Sequence, residues 1–290
     1  MIERNDACWC GSGKKWKKCH YPIPDVNSPA ELAQLYYKNF KIVLKSQQQI
    51  EGIRNASRLA ASILDETCKR AKAGVTTQEL NDFAHQMHLD AGAVPAPLHY
   101  GSPPFPKSVC ISLNEVICHG IPDSTFLKEG DILNIDVTTI LNGYYGDCSR
   151  MVMIGEVSEE KKRVVEVSYE CLMRSIQILK PALLLSQIGE TIESYATSQG
   201  CSVVHQFVGH GTGVQFHENP QVFHNRNQMH IPLVPGMTFT IEPMINAGVP
   251  EAIIDPRDQW TARTADGKPS AQWEHTVLIT ETDHEILTIL

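Results

Sequence analysis

The dipeptide Asn142-Gly143, with an apolar, β-branched run on either side, constrains the fold of this chain more than any other feature. Such a pattern is the strongest short-range signal for a β-hairpin. If these two residues form the turn, Asp136 pairs with Ser149. Asp136 and Asp147 then become diagonal neighbours on one face, with Cβ atoms at most ~7–8 Å apart.

Two interpretations of this face remain open at this point. Two carboxylates at that separation can hold a pair of cations ~3.5–4 Å apart, and they would hardly face an apolar core without partners. The alternative is a hydrated hairpin face with two solvated aspartates. Taken alone the stretch favours the second interpretation, because short motifs are weak indicators of function.

Length, composition and net charge limit the classes of protein to which this chain can belong. A chain of 290 residues with 42% hydrophobic content can bury a large core. We see no apolar segment of a secretory signal peptide at the start, and no run approaches the ~18 apolar residues of a membrane span. The net charge of −8 argues against nonspecific nucleic-acid binding. We therefore expect a cytoplasmic protein without membrane contact.

Three of the nine cysteines lie within the first nineteen positions. Cys8, Cys10, Cys19 and His20 offer three sulfurs and one imidazole, the tetrahedral set that zinc favours. A piece this short cannot bury enough surface to fold alone, so a bound metal would stabilise it. A disulfide or chance clustering is the alternative, which the scattered remaining cysteines and a reducing compartment disfavour.

This cysteine-rich stretch resembles the short zinc-binding SEC-C motif at the C-terminal tail of the bacterial preprotein-translocase ATPase. The resemblance implies a structural zinc held by the four residues above and a docking role. A ribosome or an export chaperone is the partner that it suggests.

Capping signals and periodicity divide the chain. Ser28-Pro29-Ala30-Glu31 predicts a helix start, and helical patterning continues from there to Gly74. A second helix is expected from Thr76 to about Gly92, a long one from about Glu159 to Lys180, and a shorter one from about Gln187 to Gly200. The predicted strands include 108–112 and 116–118, and others follow to the end.

Long helix, short helix and strands thus occur twice, and an offset of 108 positions aligns Gly92 with Gly200. The pattern predicts an α+β core of two similar halves with a site between them. We divide the chain into a zinc motif at 1–22, a linker and lead-in helix at 23–47, and a catalytic domain at 48–290.

Four further polar residues follow in the second half. His210 and His217 lie in a glycine-rich segment, while Glu242 ends one predicted strand and Glu274 opens another. Each alone is more often structural or solvated than functional. Together with the hairpin, Glu242, Glu274 and His210 supply four carboxylates and an imidazole, which suit two borderline divalent ions such as Mn²⁺, Fe²⁺, Co²⁺ or Zn²⁺. Two such ions can activate water and polarise a carbonyl.

The segments around these residues resemble type I methionine aminopeptidases, over roughly residues 48–290. The resemblance is carried by Asn134-Ile-Asp136, Gly209-His210-Gly211, Phe216-His217-Glu218, Ile241-Glu242-Pro243 and Trp273-Glu274-His275. That family has the pita-bread fold, a pseudo-two-fold antiparallel sheet with helices on the outside, which it shares with creatinase and prolidase. It implies release of the initiator methionine from nascent proteins whose second residue is small, by a monomer.

The same resemblance assigns roles to individual residues. The implied metal ligands are Asp136, Asp147, His210, Glu242 and Glu274. His119 and His217 are implied to be catalytic and to contact the substrate, and Glu242 to move a proton. The methionine pocket is implied to contain Phe105, Cys110, Phe216 and Trp260. Loop 100–105 departs from the family pattern by additional glycine, serine and proline, so the resemblance assigns no role to Tyr100.

Three rival functions are weighed against this one. A proline-directed dipeptidase of the same fold would use the same ligands, but such enzymes usually carry a large N-terminal domain. A non-catalytic peptide-binding pita-bread protein would be expected to have lost ligands. A pure adaptor built on the zinc motif leaves the rest of the chain unexplained.

Overall fold

A computed structural model describes residues 3–6, 14–18 and 28–290 of the chain. Within these ranges lie five α-helices and a short 3-10 helix at Trp16–Lys18. The α-helices are α1 (Pro29–Phe40), α2 (Gln47–Arg70), α3 (Thr77–Asp90), α4 (Glu159–Gln177) and α5 (Ser186–Ser198). None of them is long and apolar enough to cross a membrane.

Fifteen strands accompany the helices in the described ranges. They are β1 (Val94–Pro95), β2 (Cys110–Leu113), β3 (Val116–Cys118), β4 (Ile132–Leu141), β5 (Tyr144–Met153), β6 (Ser202–Val203), β7 (Gly209–Gly211), β8 (Glu218–Val222), β9 (Thr238–Ile241), β10 (Met244–Asn246), β11 (Ala252–Ile254), β12 (Ala262–Thr264), β13 (Ser270–Gln272), β14 (Glu274–Ile279) and β15 (His284–Ile286). Nine of them form one antiparallel sheet, in the order β1-β4-β5-β14-β9-β7-β8, with β2 also on β4 and β15 also on β14. The other six form two three-stranded sheets, β13-β10-β6 and β11-β12-β3.

The central hairpin has the predicted register. β4 and β5 pair over their full length, and Asp136 lies opposite Ser149. The two turn residues, Asn142 and Gly143, have φ values of 51° and 81°, as a two-residue turn between right-twisted strands requires. Because the turn sets the register, it also fixes which face the aspartates share.

Two hydrophobic clusters occupy the two halves of the fold. One packs α2 and α3 against β4, through residues such as Ile63, Leu80 and Ile135. The other packs α4 and α5 against β9 and β14, through residues such as Ile188 and Phe239. The helix pairs therefore cover two halves of one sheet, which confirms the predicted α+β fold with pseudo-two-fold symmetry.

Capping residues mark the starts of α1 and α3 as predicted, and one predicted helix needs correction. The Thr76 side chain accepts from Glu79 N while the Glu79 carboxylate accepts from Thr76 N, so the predicted capping box of α3 is present. The prediction of a single helical stretch from Ser28 to Gly74 is wrong, because the first helix ends before Lys41 and a second begins at Gln47. Lys41 adopts the left-handed conformation, with a φ of 59°.

The lead-in segment packs on the catalytic fold. Tyr36 and Ile42 are buried in the cluster beneath α4 and α5, and the Tyr36 hydroxyl donates to the Pro232 carbonyl at 2.8 Å. Ile42 forms a parallel bridge with Asn219, next to the segment that carries His217. The division at residues 22 and 47 stays a prediction.

Candidate active site

The central hairpin supplies the first two carboxylates of the site. Asp136 lies on β4, and Asp147 lies on β5 opposite Thr138. The Thr138 hydroxyl donates to Asp147 Oδ1 at 2.7 Å, which fixes one carboxylate oxygen and leaves the other free. Both aspartates line a cavity of about 320 Å³.

The glutamates come from the two strands next to the hairpin in the sheet. Glu274 opens β14, opposite Ser149 of β5, and Glu242 follows β9. Thr240 Oγ1 and Gln272 Nε2 donate to the two oxygens of the Glu242 carboxylate, at 2.8 and 3.1 Å. Four adjacent strands, β4, β5, β14 and β9, thus place four carboxylates at one point of the sheet.

His210, on β7, completes the group. Its Nδ1 lies 3.0 Å from the Gly211 carbonyl oxygen and therefore donates to it. The other nitrogen, Nε2, is 3.6 Å from Glu242 Oε1 and 3.7 Å from Asp147 Oδ2. A histidine whose Nδ1 is occupied in this way presents a neutral Nε2 lone pair, the form that binds metals.

Burial disfavours the charged forms of the carboxylates and of His210 in this cluster. Desolvation raises the pKa of Asp147 to about 7 and those of Asp136, Glu242 and Glu274 well above their usual values; the neighbouring carboxylates add repulsion at the last three. Desolvation likewise lowers the pKa of His210 to about 4. In the part of the chain that the structure describes, no protein donor reaches the carboxylate of Asp136 or Glu274.

These features fit divalent cations. Ligand atoms of Asp147, His210 and Glu274 lie within 4.8 Å of one another. Carboxylate and imidazole donors suit borderline ions, and a bound cation would offset the repulsion among ionised carboxylates. Asp136 and Glu242 line the same cavity and complete the predicted ligand set.

Two further histidines face the cavity. His119 packs edge-on against Phe207 and Trp260, with ring centroids at 5.4 and 5.8 Å, and desolvation lowers its pKa to about 4. His217 lies 4.2 Å from the His210 ring, between centroids, and desolvation followed by the charge of His210 lowers its pKa as well. Both are neutral near pH 7, so each has one N–H donor and one acceptor nitrogen.

The remaining predicted residues form an apolar end of the cavity. Phe105 and Trp260 meet edge to face at 5.4 Å, and Trp260 Nε1 donates to the Pro103 carbonyl at 2.9 Å. Cys110, on β2, and Phe216 line the same space. This apolar slot suits an unbranched, apolar side chain.

All eleven sequence-derived candidates therefore line one cavity, and their individual roles stay predictions. They are Phe105, Cys110, His119, Asp136, Asp147, His210, Phe216, His217, Glu242, Trp260 and Glu274. The four proposed zinc ligands, Cys8, Cys10, Cys19 and His20, lie outside the described residues. The six cysteines that the structure describes carry free thiols.

Several lining residues were not assigned from the sequence. Tyr100 packs on Phe216 and His217, at 4.8 and 5.1 Å between ring centroids. Phe207 and Met244 also line the cavity. Met244 could have been found, since it lies two positions after Glu242 and alternate residues of an extended chain share a face. Tyr100 and Phe207 carry no comparable signal.

Comparison with known proteins agrees with this geometry. The sequence profile of metallopeptidase family M24 matches residues 51–281, and that of the SEC-C motif matches residues 4–22. The methionine aminopeptidase of Chlamydia pneumoniae is 60% identical over 289 residues, which cover 100% of this chain and 99% of that protein.

Solved structures extend the comparison. The crystal structure of methionine aminopeptidase from Rickettsia prowazekii is 44% identical, covers 86% of this chain and 100% of its own, and superposes with a TM-score of 0.83. The prolidase from Pyrococcus furiosus, at 21% identity and a TM-score of 0.67, shares the fold alone. The chain belongs to metallopeptidase family M24, and within that family to the methionine aminopeptidases.

Proposed function

We propose that this chain removes the initiator methionine from new polypeptides whose second residue is small. The observation that carries the proposal is a single cavity with a charged end and an apolar end. The charged end gathers four carboxylates and His210, and the apolar end is a slot between Trp260 and Phe216. A methionine side chain fits the slot, and its carbonyl would then lie at the charged end.

Asp136, Asp147, His210, Glu242 and Glu274 would hold two divalent cations, drawn from Co, Mn, Fe and Zn. Bound there, the cations would polarise the scissile carbonyl and lower the pKa of water toward neutrality. The protein residues then have separate tasks. Asp136 would lie near the free amine of the substrate, whose positive charge it would attract.

Glu242 is the group best placed to move the proton. Thr240 and Gln272 hold its two carboxylate oxygens, so the side chain stays aimed into the cavity throughout the reaction. It would accept the proton from the attacking water and pass it to the leaving amine, a general base and acid in turn.

The two neutral histidines would act as hydrogen-bonding groups. His217 would donate to the carbonyl oxygen as negative charge develops there, which stabilises the transition state more than the substrate. His119 would contact the amide nitrogen of the second residue. Phe207 and Trp260 pack edge-on against the His119 ring and would help to exclude water around that nitrogen.

Substrate selectivity provides the direct test. With matched metal content, we expect rapid release of methionine from Met-Ala-Ser and slow release from Met-Leu-Ser. A bulky second side chain would displace the scissile bond, and a ~1 Å misplacement can cost ~10²-fold in kcat/KM. Norleucine should replace methionine at a cost of only ~1–3 kcal/mol, whereas a charged first side chain should be rejected.

The outcome distinguishes the rival functions. Equal kcat/KM for alanine and leucine at the second position would contradict the steric argument. Faster cleavage with proline there, whatever the first residue, would favour a proline-directed peptidase. A folded, metal-loaded protein that binds these peptides without cleaving them would be a non-catalytic binder.

We also propose that the N-terminal motif holds one structural zinc through Cys8, Cys10, Cys19 and His20, and that it docks a ribosome or an export chaperone while the enzyme acts as a cytoplasmic monomer. The match of the SEC-C profile to residues 4–22 supports the motif. The described pieces of this region also bond to each other, Trp16 N to the Asp6 carbonyl and Lys17 N to the Arg4 carbonyl.

Deleting residues 1–20 should therefore remove one tightly bound zinc per chain and leave tripeptide hydrolysis near the full-length rate. Three sulfurs and one imidazole form a closed set with no open coordination position, as in structural zinc sites. Metal analysis and a Met-Ala-Ser assay on both proteins check this. A truncated protein that is folded yet inactive would make the motif part of the catalytic unit.

A further inference from the structure

A second cavity, of about 620 Å³, adjoins the catalytic one. Val208, His210 and His217 line both cavities. The second cavity therefore begins at the histidine proposed to contact the scissile carbonyl. Its volume lies within the range of ligand-binding sites.

The outer wall of this cavity comes from the lead-in segment, outside the part of the chain that matches family M24. Tyr37, Lys41 and Val43 contribute to it. The Lys41 ammonium lies 5.3 Å from the centroid of the exposed Tyr37 ring. No carboxylate of the described residues pairs with Lys41, so its charge is available to a ligand.

The floor comes from the loop after β7 and from β8, through Gln215, Asn219 and Gln221. Their side-chain amides are exposed, and none makes a hydrogen bond within the described ranges. Each amide offers both donors and an acceptor, which is what a peptide backbone requires of a partner.

Wall and floor are held together independently of any ligand. Lys45, which follows the wall residues, forms a buried ion pair with Glu218 of the floor. Glu218 Oε1 also accepts from Val214 N and Gln215 N, both at 2.8 Å. A groove fixed in this way loses little conformational entropy when a chain binds in it.

We propose that this groove, between α1 and the loop that carries His217, binds the third to fifth residues of the substrate and favours an acidic side chain there. The inference rests on the proposed function. Every protein substrate continues beyond its second residue, and Phe105 and Trp260 pack edge to face at the apolar slot. The groove begins at His217, so it offers the continuing chain a path out of the catalytic cavity. The three amides would bind its backbone, and Lys41 would attract a carboxylate.

The test compares C-terminally amidated Met-Ala-Ser with amidated pentapeptides that begin Met-Ala and carry glutamate or lysine at position three, four or five. The full-length, metal-loaded enzyme is used. At one of these positions we expect kcat/KM to favour glutamate over lysine by about threefold to fivefold, as for a partly exposed ion pair. Lys41→Glu should reverse that preference and leave the tripeptide rate unchanged.

Two matched variants complete the design. Lys38→Glu changes the charge of the same helix at an exposed position that does not line the groove, and it should leave the preference intact. Lys41→Asn removes the charge with a residue that tolerates the left-handed conformation, and it should abolish the preference without reversing it.

Pentapeptide rates that are independent of charge and equal to the tripeptide rate would overturn the groove assignment while leaving methionine release standing. An equal loss in Lys41→Glu for tripeptide and pentapeptides would also overturn it, because the residue would then act on the catalytic centre. A wild-type enzyme that fails on Met-Ala-Ser itself would instead refute the proposed function.

Discussion

His217→Ala and His119→Ala should each lower kcat/KM for Met-Ala-Ser by at least ~10²-fold while metal content stays near the wild-type value. Both rings face the cavity beside the five proposed ligands without belonging to them. A hydrogen bond that strengthens as charge develops on the substrate is worth ~2.7–4 kcal/mol in comparable sites. Its loss should appear mainly in kcat, since the ground state gains less from it.

The controls separate this role from metal binding. His217→Gln retains an N–H donor and should recover part of the activity, whereas His230→Ala changes an exposed histidine that does not line the cavity and should be neutral. Metal loss in either alanine variant would make that histidine a ligand. The measurements needed are steady-state kinetics and metal analysis on the same preparations.

Local signals predicted the hairpin and most helix starts correctly. Asn142-Gly143 determined both the turn and the register, because a two-residue turn leaves no freedom in strand pairing. The capping box at Thr76 determined the start of α3 for a similar reason: its side-chain hydrogen bonds join residues only three positions apart.

The end of α1 could not be read in the same way, although the capping box of Ser46 and Gln49 does mark the start of α2. Apolar periodicity continues across Lys41, and no proline or glycine marks a break there. What draws the chain out of the helix is tertiary: Lys45 N donates to the Gly236 carbonyl at 2.8 Å, and Ile42 bridges to Asn219. Such partners are distant in the sequence and leave no local pattern.

The candidate site likewise contains residues that sequence motifs predict and residues that only the fold brings together. Ligand roles for charged residues in motifs, such as Asp136 and Glu274, could be predicted because those motifs resemble the motifs of type I methionine aminopeptidases. Tyr100 and Phe207 are aromatic, and the sequence cannot distinguish an aromatic residue that lines a cavity from one in the interior of a core. The pairing of Lys45 with Glu218, 173 positions apart, is likewise a property of the fold.

That ion pair is the basis of the second large prediction. The side chains of Lys45 and Glu218 are only 1% and 5% exposed, and Glu218 is the first residue of β8, immediately after His217. Burial lowers the pKa of Lys45, and the adjacent Glu218 opposes the shift. Removing one partner of a buried pair leaves an uncompensated charge, at a cost of ~3–5 kcal/mol.

Lys45→Met should therefore lower the midpoint of denaturant unfolding markedly and also reduce kcat/KM. Glu218 fixes the loop through Val214 N and Gln215 N, so its displacement would move His217. A shift of ~1 Å at a catalytic group can cost ~10²-fold. Lys69→Met, which breaks exposed ion pairs on α2, is the matched control and should change neither quantity appreciably.

The double variant Lys45→Met/Glu218→Gln tests the mechanism. It removes the unpaired charge but leaves an amide oxygen that can still accept from Val214 N and Gln215 N. It should therefore be more stable than Lys45→Met alone, giving a coupling free energy of ~0.5–3 kcal/mol in a double-mutant cycle. Activity should recover with stability, because both depend on the same loop. Additive losses would mean that Lys45 contributes only its packing, and that His217 is positioned by other contacts.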